Sequence, residues 1–454
     1  MARFTQRRKR LSSAVRRLGA DAALITNFTN VTYLTGFTGD DSYLLVGAGA
    51  EVMLSDPRYA QQLEEECRGL DVAIRSPSGT TLGLVESVVK KARVTRLAVE
   101  AASISLALHD RLAAALPHVT LVPTNGLVER LREIKDRHEV DEIREAIRLA
   151  EQAFGVIRAA LRPEQTEREI AFELEHQIRR FGGAGCGFPP IVAVGARAAL
   201  PHAVPTQQRV GDGDLLLIDW GATARLYCSD LTRVLVTGRI SPKLERIYGV
   251  VLKAQEQAIA SIRPGVLMSQ VDATARGLIA KAGYSKQFGH GLGHGFGLEI
   301  HEAPRLATLS DRPLKAGMVV TVEPGIYLPQ WGGVRIEDDV LVTRDGHEVL
   351  SSLPKELDRC VVDWIDCLTV RGCPGRPTRS PPRCDQGDVT GVNGPAARPD
   401  ARPVPRTVPI VELPSVRQAP PAAERPFSGG PLCQTRIPVL TTSSMSIVFA
   451  AWLS

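Results

Sequence analysis

The sequence from residue 289 to residue 302 reads GHGLGHGFGLEIHE, and this stretch decides how the rest of the chain is interpreted. It carries His290, His294 and His301, three of the nine histidines of the chain, among alternating glycines. The glycine spacing is not the G-x-G-x-x-G of a nucleotide-binding turn, and the histidine spacing is not the H-E-x-x-H of a single-zinc protease. The glycines instead predict a close approach of the backbone to a polar site.

Carboxylates stand at the ends of three apolar runs on either side of this stretch. Asp219 follows the run 215–218, and Asp230 precedes the run 231–236. Glu323 follows a third apolar run. The first two acids predict an antiparallel hairpin that holds both carboxylates near one point. A buried carboxylate is costly unless it is paired or coordinated, and two neighbouring carboxylates repel each other unless a cation lies between them.

A fourth apolar segment adds a carboxylate and an arginine. Residues 334–340 alternate apolar and polar side chains, which predicts a strand with Arg335 and Glu337 on the same face. An arginine beside a metal-binding carboxylate is a natural clamp for an anionic group of a substrate. Each of these acids and histidines alone has an ordinary explanation, such as a solvated strand end. Their concentration at several strand ends of one domain indicates a metal site.

The chain outside this region divides into domains of different character. Residues 1–130 alternate apolar strands with helical stretches, which predicts an α/β domain with a mixed or parallel sheet. The predicted strands are 22–25, 43–46, 72–74 and 97–99, and the predicted helices are 58–67, 82–91 and 104–115. The basic run at residues 7–10 is interpreted as the solvated face of an N-terminal helix. A charged helix then opens a second domain, which we place at residues 135–357.

The second domain contains an internal repeat. Two helical segments, each ending shortly before a proline, recur 101 residues apart. After the prolines, Thr166 with Glu169 and Ser269 with Asp272 predict capping boxes that start two amphipathic helices. We interpret the repeat as a duplication with pseudo-twofold symmetry.

The last part of the chain, residues 358–454, differs from the rest. It holds fifteen of the 31 prolines and eleven arginines, but no lysine and no tyrosine. Such a composition buries too little apolar surface to offset the entropy of the chain, so we predict a disordered tail. Translation of a shifted reading frame and a genuine disordered extension both account for the abrupt change.

The overall composition excludes some classes of protein. A net charge of +5 over 454 residues gives no case for nucleic-acid binding. No apolar stretch approaches the roughly 20 residues that a membrane helix needs. The cysteines of the first 357 residues are too few and too scattered for a disulfide framework. We therefore expect a cytoplasmic protein without nucleic-acid or membrane partners.

The residues at the strand ends resemble those of a known family. The order Asp219, Asp230, His294, Glu323, Glu337 is similar to the five-ligand set of the pita-bread metallopeptidases. This family includes methionine aminopeptidase, aminopeptidase P and proline dipeptidase. The eleven-residue gap between the two aspartates and the strings at residues 294–304 and 322–327 carry the resemblance.

Two further features place the resemblance in the proline-specific branch. His202, after Pro201, fits the outer histidine of that branch. Residues 27–36 and 54–59 resemble the creatinase-type N-terminal domain, which argues against methionine aminopeptidase, as does the short gap between the two glutamates. Trp220 is a departure, because a phenylalanine is more usual there. The implied fold is an α/β N-terminal domain followed by an α+β pita-bread catalytic domain with pseudo-twofold symmetry.

The resemblance also implies roles for the site residues. His294 and Glu323 would hold one metal ion, Asp219 the other, and Asp230 and Glu337 would bridge them. The residues expected to act in catalysis are Glu323, His301, His202, His290 and Arg335. The residues expected to bind substrate are His202, His290, His301, Tyr327 and Arg335. Within these sets, Glu323 would move a proton, His301 would stabilise an oxyanion, and Arg335 would meet the carboxylate or backbone of the substrate.

The implied activity is hydrolysis of the bond before proline in Xaa-Pro dipeptides. The four carboxylates carry a formal charge of −4, which two divalent ions balance, and a water between two such ions ionises to hydroxide near neutral pH. We expect Mn²⁺ or Co²⁺, with Zn²⁺ and Fe²⁺ as alternatives, and a homodimer. One alternative is an aminopeptidase P that removes the first residue from Xaa-Pro-Yaa peptides. Another is a non-catalytic binding module or a metal-free relative such as creatinase.

Overall fold

The computed structural model describes residues 2–47 and 49–362, and the structural statements below refer to these residues. The N-terminal domain is a mixed sheet covered by helices. Its strands are β1 (Ala22–Ile25), β2 (Tyr43–Gly47), β3 (Ala50–Ser55), β4 (Asp71–Ile74), β5 (Arg96–Glu100) and β6 (Thr120–Thr124). Its helices are α1 (Ala2–Arg17), α2 (Phe28–Thr35), α3 (Ala60–Glu66), α4 (Thr81–Lys91), α5 (Leu106–Ala115) and α6 (Glu129–Arg132).

The strands of this sheet lie in the order β4-β3-β2-β1-β5-β6. Strand β1 pairs antiparallel with β2 and parallel with β5, so the predicted α/β domain with a mixed sheet is confirmed. Strands β3 and β6 were not predicted. Strand β3 begins with Ala50 and Glu51, which are only half-buried, and the apolar signal in the sequence is correspondingly weak.

The second domain is built from long helices and antiparallel strands. Its helices are α7 (Arg137–Ala160), α8 (Glu167–Arg180), α9 (Pro242–Ser261) and α10 (Met268–Lys281). Its strands are β7 (Gly185–Cys186), β8 (Ile191–Val194), β9 (Leu215–Trp220), β10 (Ala222–Ala224), β11 (Tyr227–Cys228), β12 (Leu231–Val236), β13 (Gly293–Gly295), β14 (Glu302–Leu306), β15 (Val319–Val322), β16 (Gly325–Leu328), β17 (Gly332–Arg335), β18 (Asp338–Val342) and β19 (His347–Val349). No helix in residues 2–47 and 49–362 is both long and apolar enough to cross a membrane.

The internal repeat corresponds to two similar halves of this domain. One half has the helix pair α7–α8 and the antiparallel sheet β12-β9-β8, and the other has α9–α10 and the sheet β14-β13-β15-β18-β19. The capping box of Thr166 with Glu169 is present at the start of α8. The box predicted at Ser269 is wrong, because α10 begins at Met268 and Ser269 lies inside its first turn. The carboxylate of Asp272 instead binds Arg276 and the backbone N–H of Leu292 in the interior.

The prediction of a solvated basic run on α1 is only half right: Lys9 and Arg10 are exposed, but Arg7 and Arg8 are buried. Arg7 is 5% exposed, and its Nη2 atom lies 2.7 Å from Asp136 Oδ2 and 2.8 Å from Glu139 Oε2. These two acids form the capping box that starts α7. Arg8 is equally buried and pairs with Glu51. The arginines therefore tie α1 to other elements, which spacing along one helix cannot reveal.

Trp220, the departure from the family pattern, is accommodated by α7. Its ring stacks on Phe154 with 4.4 Å between the centroids, and its Nε1–H donates to the carbonyl oxygen of Ala150 at 3.0 Å. The side chain is fully buried with its polar atom satisfied. The larger ring thus fills the space between β9 and α7 beside Asp219.

The packed part of the second domain extends beyond the predicted boundary at residue 357. Cys360 is 2% exposed and accepts a hydrogen bond from the Tyr248 hydroxyl at 3.3 Å. The backbone N–H of Val362 donates to Val236 O at the end of β12, at 2.9 Å. Residues 358–362 therefore belong to the domain. The remainder of the predicted disordered tail, residues 363–454, lies outside the described residues.

This boundary predicts different results for two truncations. A chain that ends at Val362 should keep the melting temperature and activity of the full chain. A chain that ends at Leu357 should lose about 1–3 kcal/mol of unfolding free energy, because it gives up the hydrogen bonds that Cys360 and Val362 make. Urea unfolding of both chains measures the difference. Equal unfolding free energies would show that residues 358–362 contribute nothing.

Candidate metal centre

Two neighbouring antiparallel strands bring the first acids together. Strand β9 pairs with β12 so that Asp219 stands opposite Thr232, and Asp230 immediately precedes β12. The predicted hairpin is therefore formed. Gly221 lies between the two acids, and a Cβ atom at this position would lie 1.8 Å from the carbonyl oxygen of Ser229. Only glycine permits the backbones to approach this closely.

Glu337 joins these two aspartates from the other half of the domain. Its backbone N–H donates to Thr232 O at 3.2 Å, and its Oε2 atom accepts the Thr232 hydroxyl at 2.6 Å. One carboxylate oxygen from each of Asp219, Asp230 and Glu337 lies within 4.8 Å of the others. All three residues are less than 10% exposed.

His294 and Glu323 complete the cluster. The Nε2 atom of His294 lies 3.5 Å from Asp230 Oδ2 and 3.5 Å from Glu323 Oε1. Its Nδ1 atom lies 3.1 Å from the carbonyl oxygen of Gly295. A carbonyl oxygen only accepts, so Nδ1 carries the hydrogen and the lone pair of Nε2 faces the carboxylates, as a metal ligand requires. The five residues that the sequence singled out thus meet at one point.

The electrostatics of the cluster fit bound cations. Burial, and after it repulsion from Glu337 and Asp219, raises the pKa of Asp230 well above its ordinary value. Burial likewise raises the pKa of Glu337, and that of Glu323 to about 8. The Oδ1 atom of Asp219 is buried without a hydrogen-bond partner in the described chain. Four crowded carboxylates and one neutral imidazole are an oxygen-rich donor set that suits divalent metal ions.

Arg335 lies beside a carboxylate of the cluster, as its position in the sequence predicts. Its side chain is 3% exposed and ion-pairs with Asp219 through Nη2. Its Nε atom donates to the Thr232 hydroxyl at 3.1 Å, and Nη1 donates to the Tyr327 hydroxyl at 2.9 Å. The guanidinium therefore orients a carboxylate of the cluster, and its hydrogen bonds go to protein atoms instead of open space.

His290 and Tyr327 extend this chain of hydrogen bonds. The Nδ1 atom of His290 lies 2.8 Å from the Gly291 carbonyl oxygen, so it is the protonated nitrogen. Its Nε2 atom then accepts the Tyr327 hydroxyl at 2.9 Å. Burial lowers the pKa of His290 to about 4 and raises that of Tyr327 to about 12, so both are neutral near pH 7. Both lie beside the cluster, with their polar atoms already bonded.

The remaining two predicted histidines are exposed next to the carboxylates. The ring of His301 packs edge-on against His294 with 4.5 Å between the centroids. Burial, followed by the charge of Arg305, lowers the pKa of His301. His202 lies close enough to Asp219 to influence the pKa of that carboxyl. These two imidazoles are therefore available to a molecule that approaches the cluster.

The loop that carries His202 is fastened by a buried carboxylate. Glu167 is fully buried and accepts the backbone N–H of Val194 and of Thr206, both at 2.8 Å. It also pairs with Arg197 at 3.0 Å. One carboxylate thus holds both ends of the loop. The capping pattern in the sequence singles out only Thr166 and Glu169 here, and no local signal indicates the role of Glu167.

A cavity beside His301 is lined by the positively charged side chain of Arg305, which the sequence did not single out. The cavity has a volume of about 450 Å³, and Arg305 and Leu309 line it together with His301. Arg305 stands opposite His294 in the pairing of β13 with β14. Its guanidinium makes no ion pair or hydrogen bond with any described residue, unlike that of Arg335. The only indication of Arg305 in the sequence is its position shortly after His301. Its pairing with His294 cannot be deduced from the spacing.

Comparison with known proteins identifies similar families, chains and structures. The model of metallopeptidase family M24 matches residues 141–344, and that of the creatinase/prolidase N-terminal domain matches residues 7–134. The uncharacterized peptidase YqhT of Bacillus subtilis is 38% identical over 77% of this chain and 98% of its own length.

Two solved structures are similar over almost their whole length. The Xaa-Pro dipeptidase from Bacillus anthracis is 39% identical, with a TM-score of 0.76, over 79% of this chain and 99% of that chain. The X-Pro aminopeptidase from Thermotoga maritima is 37% identical, with a TM-score of 0.71, over 77% of this chain and 100% of that chain.

Proposed function

The chain belongs to metallopeptidase family M24, and on this basis we propose that it hydrolyses the peptide bond before proline, with Xaa-Pro dipeptides as substrates. The observation that carries the proposal is the meeting of four carboxylates and His294 at one buried point. The similar chain from Bacillus anthracis, described as an Xaa-Pro dipeptidase, supports the choice of substrate.

The residues of the cluster divide between two divalent ions in this proposal. His294 and Glu323 would hold one ion, Asp219 would hold the other, and Asp230 and Glu337 would serve both. Bound divalent ions lower the pKa of water and polarise the substrate carbonyl. Arg335 keeps Asp219 oriented through their ion pair. Metal analysis of the purified protein tests this part, because a binding module or a metal-free relative would contain no stoichiometric metal.

Protein groups supply the proton transfer. Hydrolysis adds a hydroxyl group to the carbonyl carbon and a proton to the nitrogen of proline. The prolyl nitrogen has no hydrogen in the peptide, so it must receive this proton before it leaves as an amine. We assign the transfer to Glu323, whose carboxylate lies at the cluster beside His294. His301 donates a hydrogen bond to the carbonyl oxygen as negative charge develops there.

The side chains around the cluster bind the rest of the dipeptide. His202 contacts the substrate from its loop. On the other side, the uncharged side chains of His290 and Tyr327 line the site. Arg305, which is free of protein partners within the described residues, takes the carboxylate of proline in the cavity beside His301. This replaces the role that the sequence suggested for Arg335.

Replacing Arg305 with alanine should lower kcat/KM for an Xaa-Pro dipeptide by about 10- to 100-fold, the loss expected for hydrogen bonds to a charged group. The loss should fall mainly on KM. The amide of the same dipeptide lacks the carboxylate, so the substitution should hardly affect its hydrolysis. Steady-state kinetics with both substrates measures this. An equal loss on the amide would contradict the assignment of Arg305.

A second candidate activity is that of aminopeptidase P, and the similar Thermotoga maritima chain described as an X-Pro aminopeptidase favours it. Purified protein incubated with Xaa-Pro, Xaa-Pro-Yaa and Xaa-Ala peptides separates the two. Preference for the dipeptide supports our proposal, and preference for the longer peptide supports the aminopeptidase. Equal cleavage of Xaa-Ala would contradict both, because neither activity tolerates loss of the proline.

The proposal also includes the metal ions, the cellular location and the oligomeric state. We propose Mn²⁺ or Co²⁺ as the metals, with Zn²⁺ or Fe²⁺ as alternatives, since oxygen ligands with one imidazole suit all four. We propose a cytoplasmic homodimer that acts on proline-containing peptides. Elemental analysis of protein from its native source and light scattering of the purified chain test the metal and the assembly.

A further inference from the structure

A buried network of charges joins the N-terminal domain to the segment that carries His301. The side chain of Arg132, at the end of α6, is 2% exposed. Its Nη2 atom lies 2.5 Å from Glu302 Oε1 and 2.8 Å from Glu299 Oε2. Lys135 lies 3.3 Å from the other oxygen of Glu302. Glu302 directly follows His301 in the chain and is 6% exposed in its side chain.

On the other side, Arg132 is anchored to the N-terminal sheet. Its Nη1 atom donates to Asn30 Oδ1 at 2.9 Å, and Asn30 on α2 is fully buried. The amide nitrogen of Asn30 donates to Glu100 at 2.7 Å and to Glu129 at 2.6 Å. Glu100 ends strand β5. A continuous chain of buried hydrogen bonds therefore runs from that strand to Glu302.

The segment that carries His301 has little other support. Within the described chain, neither Ile300 nor His301 makes a backbone-to-backbone hydrogen bond. The carboxylate of Glu302 accepts the N–H of Glu299 at 3.1 Å and so closes the loop internally. The same carboxylate is the group that Arg132 and Lys135 hold. The position of the loop therefore depends in part on Arg132 of the N-terminal domain, together with Lys135 and the pairing of Glu302 with Gly295.

We propose that Arg132 and Glu302 are positioning residues that set the imidazole of His301 for hydrolysis, so that the N-terminal domain contributes to catalysis within its own chain. This rests on the role proposed above for His301. The loss of either partner lets the loop shift, and a displacement of about 1 Å at a catalytic group lowers turnover by up to about 100-fold.

The test separates positioning from stability. Arg132→Met and Glu302→Gln are compared with Arg7→Met, a matched control. Arg7 is also a buried arginine that two carboxylates hold, with its side chain 7% exposed, but it contacts the first turn of α7, away from His301. Kinetics with an Xaa-Pro dipeptide are measured where thermal melting shows each variant to be folded. Glu302→Gln keeps the size and an acceptor for Glu299, so it carries the test if Arg132→Met does not fold.

We expect all three variants to melt at lower temperature, because breaking a buried ion pair is destabilising. Only Arg132→Met and Glu302→Gln should lose kcat, by about 10- to 100-fold, with KM close to that of the unsubstituted enzyme. When Arg132→Met or Glu302→Gln is combined with His301→Ala, kcat should fall by less than about a further twofold. A twofold change is about the usual deviation from additivity between independent substitutions.

Three results would overturn the inference in different ways. A normal kcat in His301→Ala would remove the role of His301 itself. Two other outcomes would leave the role of His301 intact and overturn only the positioning by Arg132 and Glu302. In the first, His301→Ala lowers kcat and the loss multiplies with that of Arg132→Met in the double variant. In the second, Arg7→Met lowers kcat as much as Arg132→Met does.

Discussion

Replacing Asp230 with asparagine is expected to lower kcat by about 100- to 1,000-fold, the equivalent of a few kcal/mol of transition-state stabilisation. The Oδ2 atom of Asp230 lies 3.5 Å from His294 Nε2, and its carboxylate meets those of Asp219 and Glu337. In the proposed assignment Asp230 would serve both ions, and a neutral amide cannot replace a carboxylate in that role. Glu337→Gln should have the same effect for the same reason.

The Asp230→Asn substitution should lower kcat, but it should not lower the unfolding free energy of the metal-free protein. Burial and the neighbouring carboxylates raise the pKa of Asp230, so its charge is unfavourable in the metal-free fold. The substitution removes that repulsion, and the metal-free variant should therefore be at least as stable as the metal-free parent. Loss of function with retained stability is typical of a site that is strained for catalysis.

Kinetics, metal content and urea unfolding check these expectations together. Asp345→Asn is a suitable control, because it makes the same chemical change at an exposed position. It should change neither turnover nor metal content. Full turnover and full metal content in Asp230→Asn would contradict the assignment of the site. A variant that is inactive only because it is unfolded would be recognised in the unfolding curve.

Removal of the metal is expected to have the second large effect. Chelation should abolish hydrolysis, and added Mn²⁺ or Co²⁺ should restore it. A ligand that binds only the folded state stabilises it by about 4 kcal/mol at a thousandfold excess over its Kd. Melting temperature should therefore rise with metal concentration in the parent chain, and much less in Asp230→Asn. A melting temperature independent of metal would contradict the proposal.

The same experiment has a predicted pH dependence. The pKa of Glu323 stands at about 8 without metal, so metal binding at neutral pH must displace protons from the cluster. Affinity should therefore decrease as the pH falls, because protons compete for the same carboxylates. Titrations of the apoprotein with Mn²⁺ at pH 6 and pH 8 measure this difference. Tighter binding at pH 6 would contradict the expected direction.

Much of the metal cluster could be predicted because its signal is local. An apolar run followed by an acid, as at Asp219, can be recognised within six residues of sequence. A hairpin of two such runs then brings Asp219 and Asp230 close together. The order of such acids along the chain then indicates the site. The same reasoning gave the α/β character of the N-terminal domain.

The residues that were missed act through partners that are distant in sequence. Arg132 and Glu302 are 170 residues apart, and nothing in either neighbourhood indicates the other. Arg335 was placed on the correct face, but its pairing with Asp219 depends on how two halves of the domain pack. Asp272 matched a helix cap locally, but its buried carboxylate accepts the backbone N–H of Leu292, twenty residues away, because a buried carboxylate without partners is costly.

The way the described chain ends bears on practical use of the protein. Val362 bonds to Val236 at one end of β12, and Asp230 lies at the other end of that strand. Six residues of extended strand separate the two points by roughly 20 Å. A chain cut at Val362 could therefore be attached to a resin or a sensor surface through its new terminus. The point of attachment would then lie at the end of β12 opposite to Asp230.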